Sequence, residues 1–266
     1  MDFEPGHEIL RAAAARLAAA GLDEPAREAR LLARAARDAT EFEAFISRRA
    51  TREPFAYIVG RREFWSLDFE VTQDVLIPRP DSETLVEAAL KAFGQKPPQS
   101  IVDLGTGSGC LIVTLLKEWP DARGLAVDVS QAALDVARRN AERLGASGRL
   151  DFACADFAML EAGPFDLVVS NPPYIPSGLI ATLEPDVAAF EPGLALDGGA
   201  DGLTAYRAIA RVLPALLAPK GKAMVEIGWD QASAVTQVLQ NQGFAVQPVI
   251  KDLAGNDRVL VAARAI

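Results

Sequence analysis

The sequence predicts an α/β protein in which a mostly parallel, doubly wound sheet of seven strands follows a small N-terminal helical bundle. From residue 100 onward, short apolar segments alternate with helix-length segments, a pattern typical of βαβ units. Residues 1–60 instead contain helical patterns interrupted by glycine and proline. Half of the 266 residues are hydrophobic, which is enough for one large core and a smaller satellite domain.

The first eighty residues are predicted to form a helical domain and a connector. Pro25 suits the first turn of a helix, and the segment "AREARLLARAARD" places its apolar residues along one side. This pattern predicts several short helices packed as a bundle over residues 1–60. In "RREFWSLDFEVTQDVLIPRP", aromatic and β-branched residues nearly alternate, which predicts a β-hairpin connector over residues 61–80. Residues 81–266 then form the sheet domain.

Seven strands are predicted in the sheet domain, with one helix before them, over "SETLVEAALKAF", and four helices among them. The strands are Ile101–Leu104, Gly124–Asp128, Leu150–Ala153, Phe165–Ser170, Lys222–Gly228, Phe244–Val249 and Val259–Ala263. The helices span about 109–118, 131–144, 202–218 and 230–242. Because strands and helices of this length alternate, the sheet is predicted to be mostly parallel.

The composition argues against several classes of function. No stretch approaches the roughly 20 apolar residues of a membrane span, and residues 1–25 lack the apolar run of a signal peptide. We therefore expect a cytoplasmic protein that does not bind a membrane. The net charge of −9 disfavours a nucleic-acid substrate without excluding it, since phosphate backbones bind through clustered lysine and arginine.

The histidine and cysteine content restricts the chemistry further. His7 is the single histidine and lies among charged residues, which argues against a Ser-His-Asp site or a histidine-rich metal site. Cys110 and Cys154 each lie in an apolar segment, and we expect both to be buried free thiols. No metal site is predicted, and an enzyme of this sequence must work without a histidine base.

A glycine-rich loop follows the first predicted strand in "IVDLGTGSGC". Gly105, Gly107 and Gly109 allow the backbone to turn sharply and approach a ligand, and the helix N-terminus beyond them attracts negative charge. The third glycine comes one residue earlier than in the dinucleotide fingerprint G-x-G-x-x-G. Asp103 precedes the loop, and a carboxylate there suits a cationic ligand better than a pyrophosphate.

Two further acidic residues follow predicted strands. Asp128 ends the second strand about 20 residues after the loop, where an acid accepts hydrogen bonds from a ribose diol. The ligand therefore resembles a nucleoside that carries positive charge, and S-adenosyl-L-methionine fits this description. In "CADF", after the third strand, Asp156 is expected to reach the adenine amino group and Phe157 to supply an apolar wall. The alternative is an ordinary loop acid beside a core phenylalanine.

The segment "VVSNPPYIP", residues 168–176, is the strongest signal in the chain. Open α/β sheets bind ligands at the carboxyl ends of strands, where the strand order reverses. If the first and fourth strands of the sheet domain are neighbours, the loops 105–109 and 171–174 share one crevice. The cofactor then lies on the first loop, and the second faces its reactive end.

The chemistry expected of Asn171–Tyr174 is the alignment of a planar nitrogen group. An amide or exocyclic amine is a poor nucleophile because its lone pair is delocalised. The Asn171 side-chain oxygen and the Pro172 carbonyl are predicted to accept its two N–H hydrogens, which aims the lone pair at the methyl group and stabilises the growing positive charge. The prolines fix φ and hold these acceptors in place, and Tyr174 can pack against the planar group. A stiff turn without this function is the structural alternative.

The sequence resembles the amino-methyltransferases through "DLGTGSG" followed by "NPPY". It is similar in particular to the release factor glutamine methyltransferases, over most of residues 54–258. The stretches that carry this resemblance are "PFAYIVGRREFWSLDF", "VLIPRPDSETLVE", "SNPPYIP", "FEPGLALDGGADGL", "EIGWDQ" and "KDLAGNDRV".

The resemblance implies an S-adenosyl-L-methionine-dependent enzyme that N5-methylates the glutamine of the Gly-Gly-Gln loop in class-1 peptide chain release factors. It implies a Rossmann-like, seven-stranded methyltransferase domain behind a small helical domain and a β-hairpin. Many members of this family carry tryptophan at the position of Phe157. This difference affects how the aromatic ring packs against the adenine of the cofactor. The cofactor residues implied by pattern and resemblance together are Asp103, Gly105, Thr106, Gly107, Ser108, Gly109, Asp128, Asp156, Phe157 and Asn171. The catalytic and substrate-binding residues are Asn171, Pro172, Pro173 and Tyr174.

Two features of the N-terminal half are assigned to the protein substrate. The arginine-rich helices of residues 1–60 are predicted to dock the release factor, and plain solvated helix faces are the alternative. Arg79, between two prolines, is predicted to contact the substrate loop or to brace the two domains, and a simple surface charge is the alternative.

Three other functions remain open at this stage. A related group methylates a glutamine of a ribosomal protein, and the Pro80–Asp81 continuation favours the release factor enzyme over it. A DNA or RNA adenine N6-methyltransferase uses the same tetrapeptide, but it would have to extrude its base and usually brings a basic recognition region, which is not visible here. A non-catalytic cofactor-binding module is the third, and the intact "NPPY" argues against it.

Overall fold

The computed structural model describes residues 3–265, which form two compact units. The first unit comprises the described residues up to Arg61 together with Leu183–Phe190, and the second comprises Arg62–Thr182 and the described residues from Glu191 onward. The helices are α1 (His7–Ala19), α2 (Pro25–Ala35), α3 (Ala39–Ala50), α4 (Phe55–Val59), α5 (Glu83–Phe93), α6 (Cys110–Glu118), α7 (Gln131–Arg143), α8 (Pro185–Phe190), α9 (Gly193–Leu196), α10 (Thr204–Leu216) and α11 (Ala232–Gln240). The strands are β1 (Arg61–Phe64), β2 (Leu67–Glu70), β3 (Ser100–Leu104), β4 (Arg123–Asp128), β5 (Leu150–Cys154), β6 (Phe165–Ser170), β7 (Leu217–Glu226), β8 (Phe244–Val246), β9 (Ile250–Lys251) and β10 (Asp257–Arg264).

The first unit is a helical bundle around its own apolar core. Leu17, Leu32 and Ile46, from α1, α2 and α3, have no exposed surface. Pro25 stands at the first turn of α2, as the sequence predicts. The Asp38 side chain caps α3 by accepting a hydrogen bond from the Glu41 backbone at 2.8 Å. The predicted N-terminal helices are therefore confirmed.

Helix α8 belongs to the helical unit although it lies far along the chain, which the sequence did not indicate. Its Asp186 binds two arginines of the bundle. Arg49 donates to Asp186 at 2.7 Å and to Glu28 at 2.5 Å, and Arg52 donates to the second oxygen of Asp186 at 2.5 Å. Arg49 is only 5% exposed, so it needs both carboxylates to compensate for the loss of water.

The predicted hairpin is present as a separate sheet of β1 and β2. Trp65 and Ser66 join the strands, with φ angles of 53° and 57°. A two-residue turn with left-handed backbone at both positions matches the right-handed twist of paired strands, which is why hairpins favour it.

The second unit contains the predicted doubly wound sheet. Its strand order is β5-β4-β3-β6-β7-β10-β8, with β9 paired to β10. The strands from β5 to β7 along this order are parallel, and β10 is antiparallel to its neighbours. The chain winds outward from β3 to β5 and then returns to β6 on the other side of β3. The two strands whose adjacency the sequence argument required are therefore neighbours.

Both faces of the sheet are covered by helices. Along β3, Ile101 packs into one apolar core with α5 and α6, while Val102 packs into the other with α10. Alternate side chains of a strand point to opposite faces, so a central strand buried on both faces needs apolar residues in succession. The α/β class predicted from the alternating pattern is confirmed.

The strand boundaries differ from the prediction at the antiparallel edge. The predicted strand 244–249 ends at Val246, and a short strand that the sequence did not predict, β9, follows after Pro248. Proline has no N–H to donate to a ladder, so it interrupts the pairing. The sheet therefore has eight strands rather than seven, of which one contains two residues. In the described residues, no helix is long and apolar enough to cross a membrane.

Candidate active site

A cavity of about 460 Å³ lies at the carboxyl ends of β3, β4 and β6 in the second unit. Most of the residues predicted for the site line it, namely Arg79, Gly105, Thr106, Gly107, Ser108, Asp128, Asp156, Phe157, Asn171 and Pro173. Of the other predicted residues, Asp103, Gly109, Pro172 and Tyr174 are not among the lining residues found in the described part of the chain. The two loops expected to share one crevice therefore both contribute to this cavity.

The glycine loop is held against the next strand. The backbone N–H groups of Gly105 and Thr106 donate to the Val127 carbonyl at 2.9 and 3.0 Å. Gly109 ends the loop with a φ of 79°, and a Cβ there would lie 3.2 Å from the Cβ of Ala137. Glycine is required at this position because the backbone is left-handed and α7 packs closely against it.

Asp103 is buried beneath the loop, with 1% of its surface exposed. One carboxylate oxygen accepts a hydrogen bond from the Thr106 hydroxyl at 2.7 Å, and the other has no partner among the described residues. Burial raises the pKa of Asp103 to about 7. A buried carboxyl group with a vacant acceptor is suited to a cationic hydrogen-bond donor, which would favour its charged form.

Asp128 is fixed by two backbone hydrogen bonds. Its oxygens accept from the N–H groups of Gly107 and Ser130, each at 2.9 Å. Each carboxylate oxygen has a second lone pair, so a half-buried Asp128 retains acceptors for a ligand in the cavity. The hydrogen bond to Gly107 connects the end of β4 to the glycine loop.

Asp156 and Phe157 form the start of a short turn beside the cavity. Asp156 is exposed, and its side chain accepts from the Ala158 backbone at 2.8 Å. Phe157 is partly buried and packs against the core that contains α10. The turn thus gives both residues a local structural role, and their contact with adenine stays a prediction.

Asn171 begins the loop that follows β6. Just before it, the Ser170 hydroxyl donates to the Leu104 carbonyl at 2.6 Å, which joins the ends of β6 and β3. The Asn171 side-chain NH₂ group donates to the Ser82 hydroxyl at 3.2 Å. Among residues 3–265, no group donates a hydrogen bond to the Asn171 side-chain oxygen, so this acceptor is available at the cavity.

The Tyr174 backbone is supported by residues that the sequence analysis did not single out. Gln231 donates to the Tyr174 carbonyl at 3.0 Å. Gly202 has a φ of 73°, and a Cβ there would lie 2.4 Å from the same carbonyl. The next residue, Ile175, exchanges backbone hydrogen bonds with the 196–198 segment at 3.0 and 2.8 Å. The quoted stretches "FEPGLALDGGADGL" and "EIGWDQ" contain these supports and were the signal that could have revealed them.

Several charged side chains lie close enough to Tyr174 to influence its pKa. Arg258 binds Asp81 at 3.1 Å and Asp252 at 3.0 Å, and Arg79 binds the buried Glu191 at 2.5 Å. Glu226 is 1% exposed, and burial raises its pKa to about 7. Burial also raises the pKa of Tyr174, which keeps its phenol protonated near neutral pH.

The two cysteines differ in their surroundings. Cys110 is partly buried at the cavity, and burial raises the pKa of its thiol to about 12. Cys154 is exposed, so the prediction that it is buried is wrong. It is the last residue of β5, an edge strand, where one flank of the sheet has no neighbour to cover it. In the part of the chain that the structure describes, no group of three or more His, Cys, Asp or Glu side chains could hold a metal ion.

Known proteins with similar sequences decide the family. A family model described as Methyltransferase small domain matches residues 81–182. A release factor glutamine methyltransferase from Rhodospirillum rubrum is 47% identical over 274 residues, which cover 96% of this chain and 84% of that relative. One from Cereibacter sphaeroides is 47% identical over 275 residues, which cover 97% of each chain. The chain belongs to the release factor glutamine methyltransferase family.

A protein of known structure shares the fold of this chain. The catalytic domain of hMettl16, solved in complex with the MAT2A 3'UTR hairpin 6, superimposes with a TM-score of 0.63 at 17% identity. The match covers 84% of this chain and 82% of that chain, and it shows a shared fold.

Membership of the release factor glutamine methyltransferase family makes S-adenosyl-L-methionine the methyl donor. The residues that line the cavity, together with Asp103 beneath the glycine loop, fit this molecule. Asp103 offers a buried acceptor without a partner for a cationic group, and Asp128 retains lone pairs for a diol at the end of the second parallel strand. Gly105 and Gly107 have no side chains that could obstruct a ligand. The space beside them is open, since no atom lies within 4 Å of a Cβ built at either position.

Proposed function

We propose that this chain methylates the side-chain amide nitrogen of the glutamine in the Gly-Gly-Gln loop of class-1 peptide chain release factors, in the cytoplasm. The observation that carries the proposal is the hydrogen bond from the Asn171 NH₂ group to Ser82. It engages the donor end of the Asn171 amide and leaves the oxygen as an acceptor. A substrate amide has two N–H hydrogens and needs acceptors, which this arrangement supplies.

The residues of the loop then divide the work of activating a weak nucleophile. When bound, S-adenosyl-L-methionine supplies an electrophilic methyl group. The Asn171 oxygen and the Pro172 carbonyl accept the two N–H hydrogens and stabilise positive charge as it develops on the nitrogen. Tyr174 packs against the planar amide. The methylated nitrogen is acidic enough to lose its proton to water, so no histidine is required.

We propose that the helical unit docks the release factor away from the reacting glutamine. Arg30 and Arg34 support this role because they are exposed on α2, at the (i, i+4) spacing that places two side chains on one helix face. Replacing both by glutamate should raise the KM for intact release factor and leave the KM for a short Gly-Gly-Gln peptide unchanged. Equal KM values for intact release factor in the substituted and unsubstituted proteins would reject the docking role. Arg79, which lines the cavity while bound to Glu191, is proposed to contact the substrate loop.

The decisive experiment is methylation of purified release factor with a labelled methyl donor, followed by mass spectrometry of its peptides. We expect one added methyl group on the glutamine of the Gly-Gly-Gln loop and none in a release factor that carries alanine at that position. Label on a ribosomal protein, or on nucleic acid, with none on release factor would overturn the proposal.

A further inference from the structure

Ser82 lies between the Asn171 amide and a carboxyl group buried in the core of the second unit. Its hydroxyl oxygen accepts the hydrogen bond from the Asn171 NH₂ group at 3.2 Å, and the hydroxyl also interacts with the Glu226 carboxyl group, where it opposes the rise in pKa that burial causes. Ser82 and Glu226 are 2% and 1% exposed, so water does not compete for these contacts. Ser82 therefore interacts with both the Asn171 amide and the Glu226 carboxyl group.

The direction of these contacts follows from the donors that each group has. A hydroxyl has one hydrogen and two lone pairs. Because the Ser82 oxygen accepts from Asn171, its hydrogen is free to be donated to Glu226. Within the described part of the chain, one Glu226 oxygen has no hydrogen-bond partner. No other donor to that oxygen therefore competes with Ser82 for the orientation of the carboxyl group. Glu226 is therefore available to accept the hydrogen of the Ser82 hydroxyl.

The backbone of Ser82 is also held in place. It ends a short 3-10 turn at Pro80–Ser82, and its N–H donates to the Arg79 carbonyl at 3.1 Å. The preceding Asp81 binds Arg258. A hydroxyl on a fixed backbone provides a fixed acceptor, which distinguishes the two ends of the Asn171 amide.

The two ends of an asparagine amide have nearly the same shape but opposite hydrogen-bonding character. If the Asn171 side chain rotated by half a turn about its last bond, its NH₂ group would face the NH₂ group of the substrate glutamine, and two donors would oppose each other. We propose that Ser82, oriented by Glu226, is a positioning residue that fixes the Asn171 amide with its oxygen toward the substrate nitrogen. This inference rests on the proposed function.

The test is a double-mutant cycle between Ser82→Ala and Asn171→Ala, with Ser82→Thr as the matched control. In the protein with native Asn171, Ser82→Ala should lower kcat for release factor about tenfold, the change that corresponds to losing one hydrogen bond of about 1.4 kcal/mol. The affinity for S-adenosyl-L-methionine, measured by calorimetry, should not change. Ser82→Thr keeps the hydroxyl and should restore most of the lost kcat.

The cycle separates positioning from other roles of Ser82. If Ser82 acts through Asn171, then Ser82→Ala should cause no further loss of kcat in a protein that already carries Asn171→Ala. A full additional loss in that background would overturn the inference, as would an unchanged kcat in the single Ser82→Ala variant. If the unsubstituted protein methylates no release factor, the proposed function fails instead, so the two failures are distinct.

Discussion

The two sides of the cavity are built in different ways. On the side assigned to the cofactor, the hydrogen bonds are local. Gly105 donates to Val127 of β4, and Gly107 donates to Asp128 at the end of β4. Only helix α6 separates the glycine loop from β4 along the chain. On the side assigned to the substrate, Asn171 depends on Ser82, 89 residues away, and the Tyr174 carbonyl depends on Gln231, 57 residues away. One side is a local structure of the βαβ unit, and the other is assembled from distant segments.

This difference should separate the effects of substitutions. A change on the cofactor side alters the loop that follows β3 and is hydrogen-bonded to β4. Because this loop is assigned to cofactor binding, the change should appear mainly in cofactor affinity. A change on the substrate side alters the alignment of the groups that we propose act on the reacting nitrogen, so it should appear mainly in kcat. The expected effects, from the largest to the smallest, test this separation.

Asn171→Ala should have the largest effect, because it removes the acceptor that we propose for the substrate N–H group, whose hydrogen bond should strengthen as charge develops on the nitrogen. By comparison with the loss of one preorganised polar group from an oxyanion hole, kcat should fall by about 10²–10³. The change in KM should be smaller, and the melting temperature should stay close to that of the unsubstituted protein because the prolines still hold the loop. A lower melting temperature with nearly unchanged kcat in the folded fraction would mean that Asn171 is only a turn residue.

The sequence predicted the local side of the cavity more fully than the assembled side. Gly105, Gly107 and Asp128 line the cavity as expected, because each occupies a fixed place relative to a strand end, which periodicity reveals. Ser82, Gly202 and Gln231 were not assigned roles, because their partners come close only after the whole sheet has formed. The same limit applies to α8, whose Asp186 binds the helical unit through Arg49.

Glu226 should make stability fall as pH rises. Its pKa is about 7 in the folded protein, mainly because of burial, against 4.5 for an unperturbed glutamate. The folded state therefore holds more protons than the unfolded state between these values, so the free energy of unfolding declines through that range and is lowest above pH 7. The difference between the two pKa values corresponds to a decline of about 3 kcal/mol in the free energy of unfolding, and Glu226→Gln should abolish it.

The measurement for Glu226 is the melting temperature of both proteins from pH 4.5 to 8. The advantage of the glutamine variant over the unsubstituted protein should grow as pH rises. A constant difference across the whole range would mean that the glutamate does not titrate with a raised pKa.

Gly202→Ala should destabilise the turn at Tyr174. A Cβ would lie 2.4 Å from the Tyr174 carbonyl oxygen, and the φ of 73° is strained for alanine. Strain of this kind costs on the order of 1–3 kcal/mol. The control is Gly193→Ala, because no atom lies within 4 Å of a Cβ at that position. Denaturant unfolding should show a loss for Gly202→Ala and almost none for Gly193→Ala, and equal losses would contradict the packing argument.

Asp128→Asn should have the smallest effect and should act on the other side of the cavity. In the aspartate, one oxygen accepts from the Gly107 N–H and the other from the Ser130 N–H. Asparagine keeps one acceptor oxygen, but its NH₂ group cannot accept a hydrogen bond, so one of these two backbone hydrogen bonds is lost. We expect a loss of about 1 kcal/mol in S-adenosyl-L-methionine affinity by calorimetry, and a loss of about 1–3 kcal/mol for Asp128→Ala. At a saturating concentration of the donor, kcat of the asparagine variant should stay close to that of the unsubstituted protein, since Asn171 and its supports are untouched. Unchanged affinity together with a reduced kcat would contradict the assignment of Asp128 to the cofactor, and would show that the two sides of the cavity do not act separately.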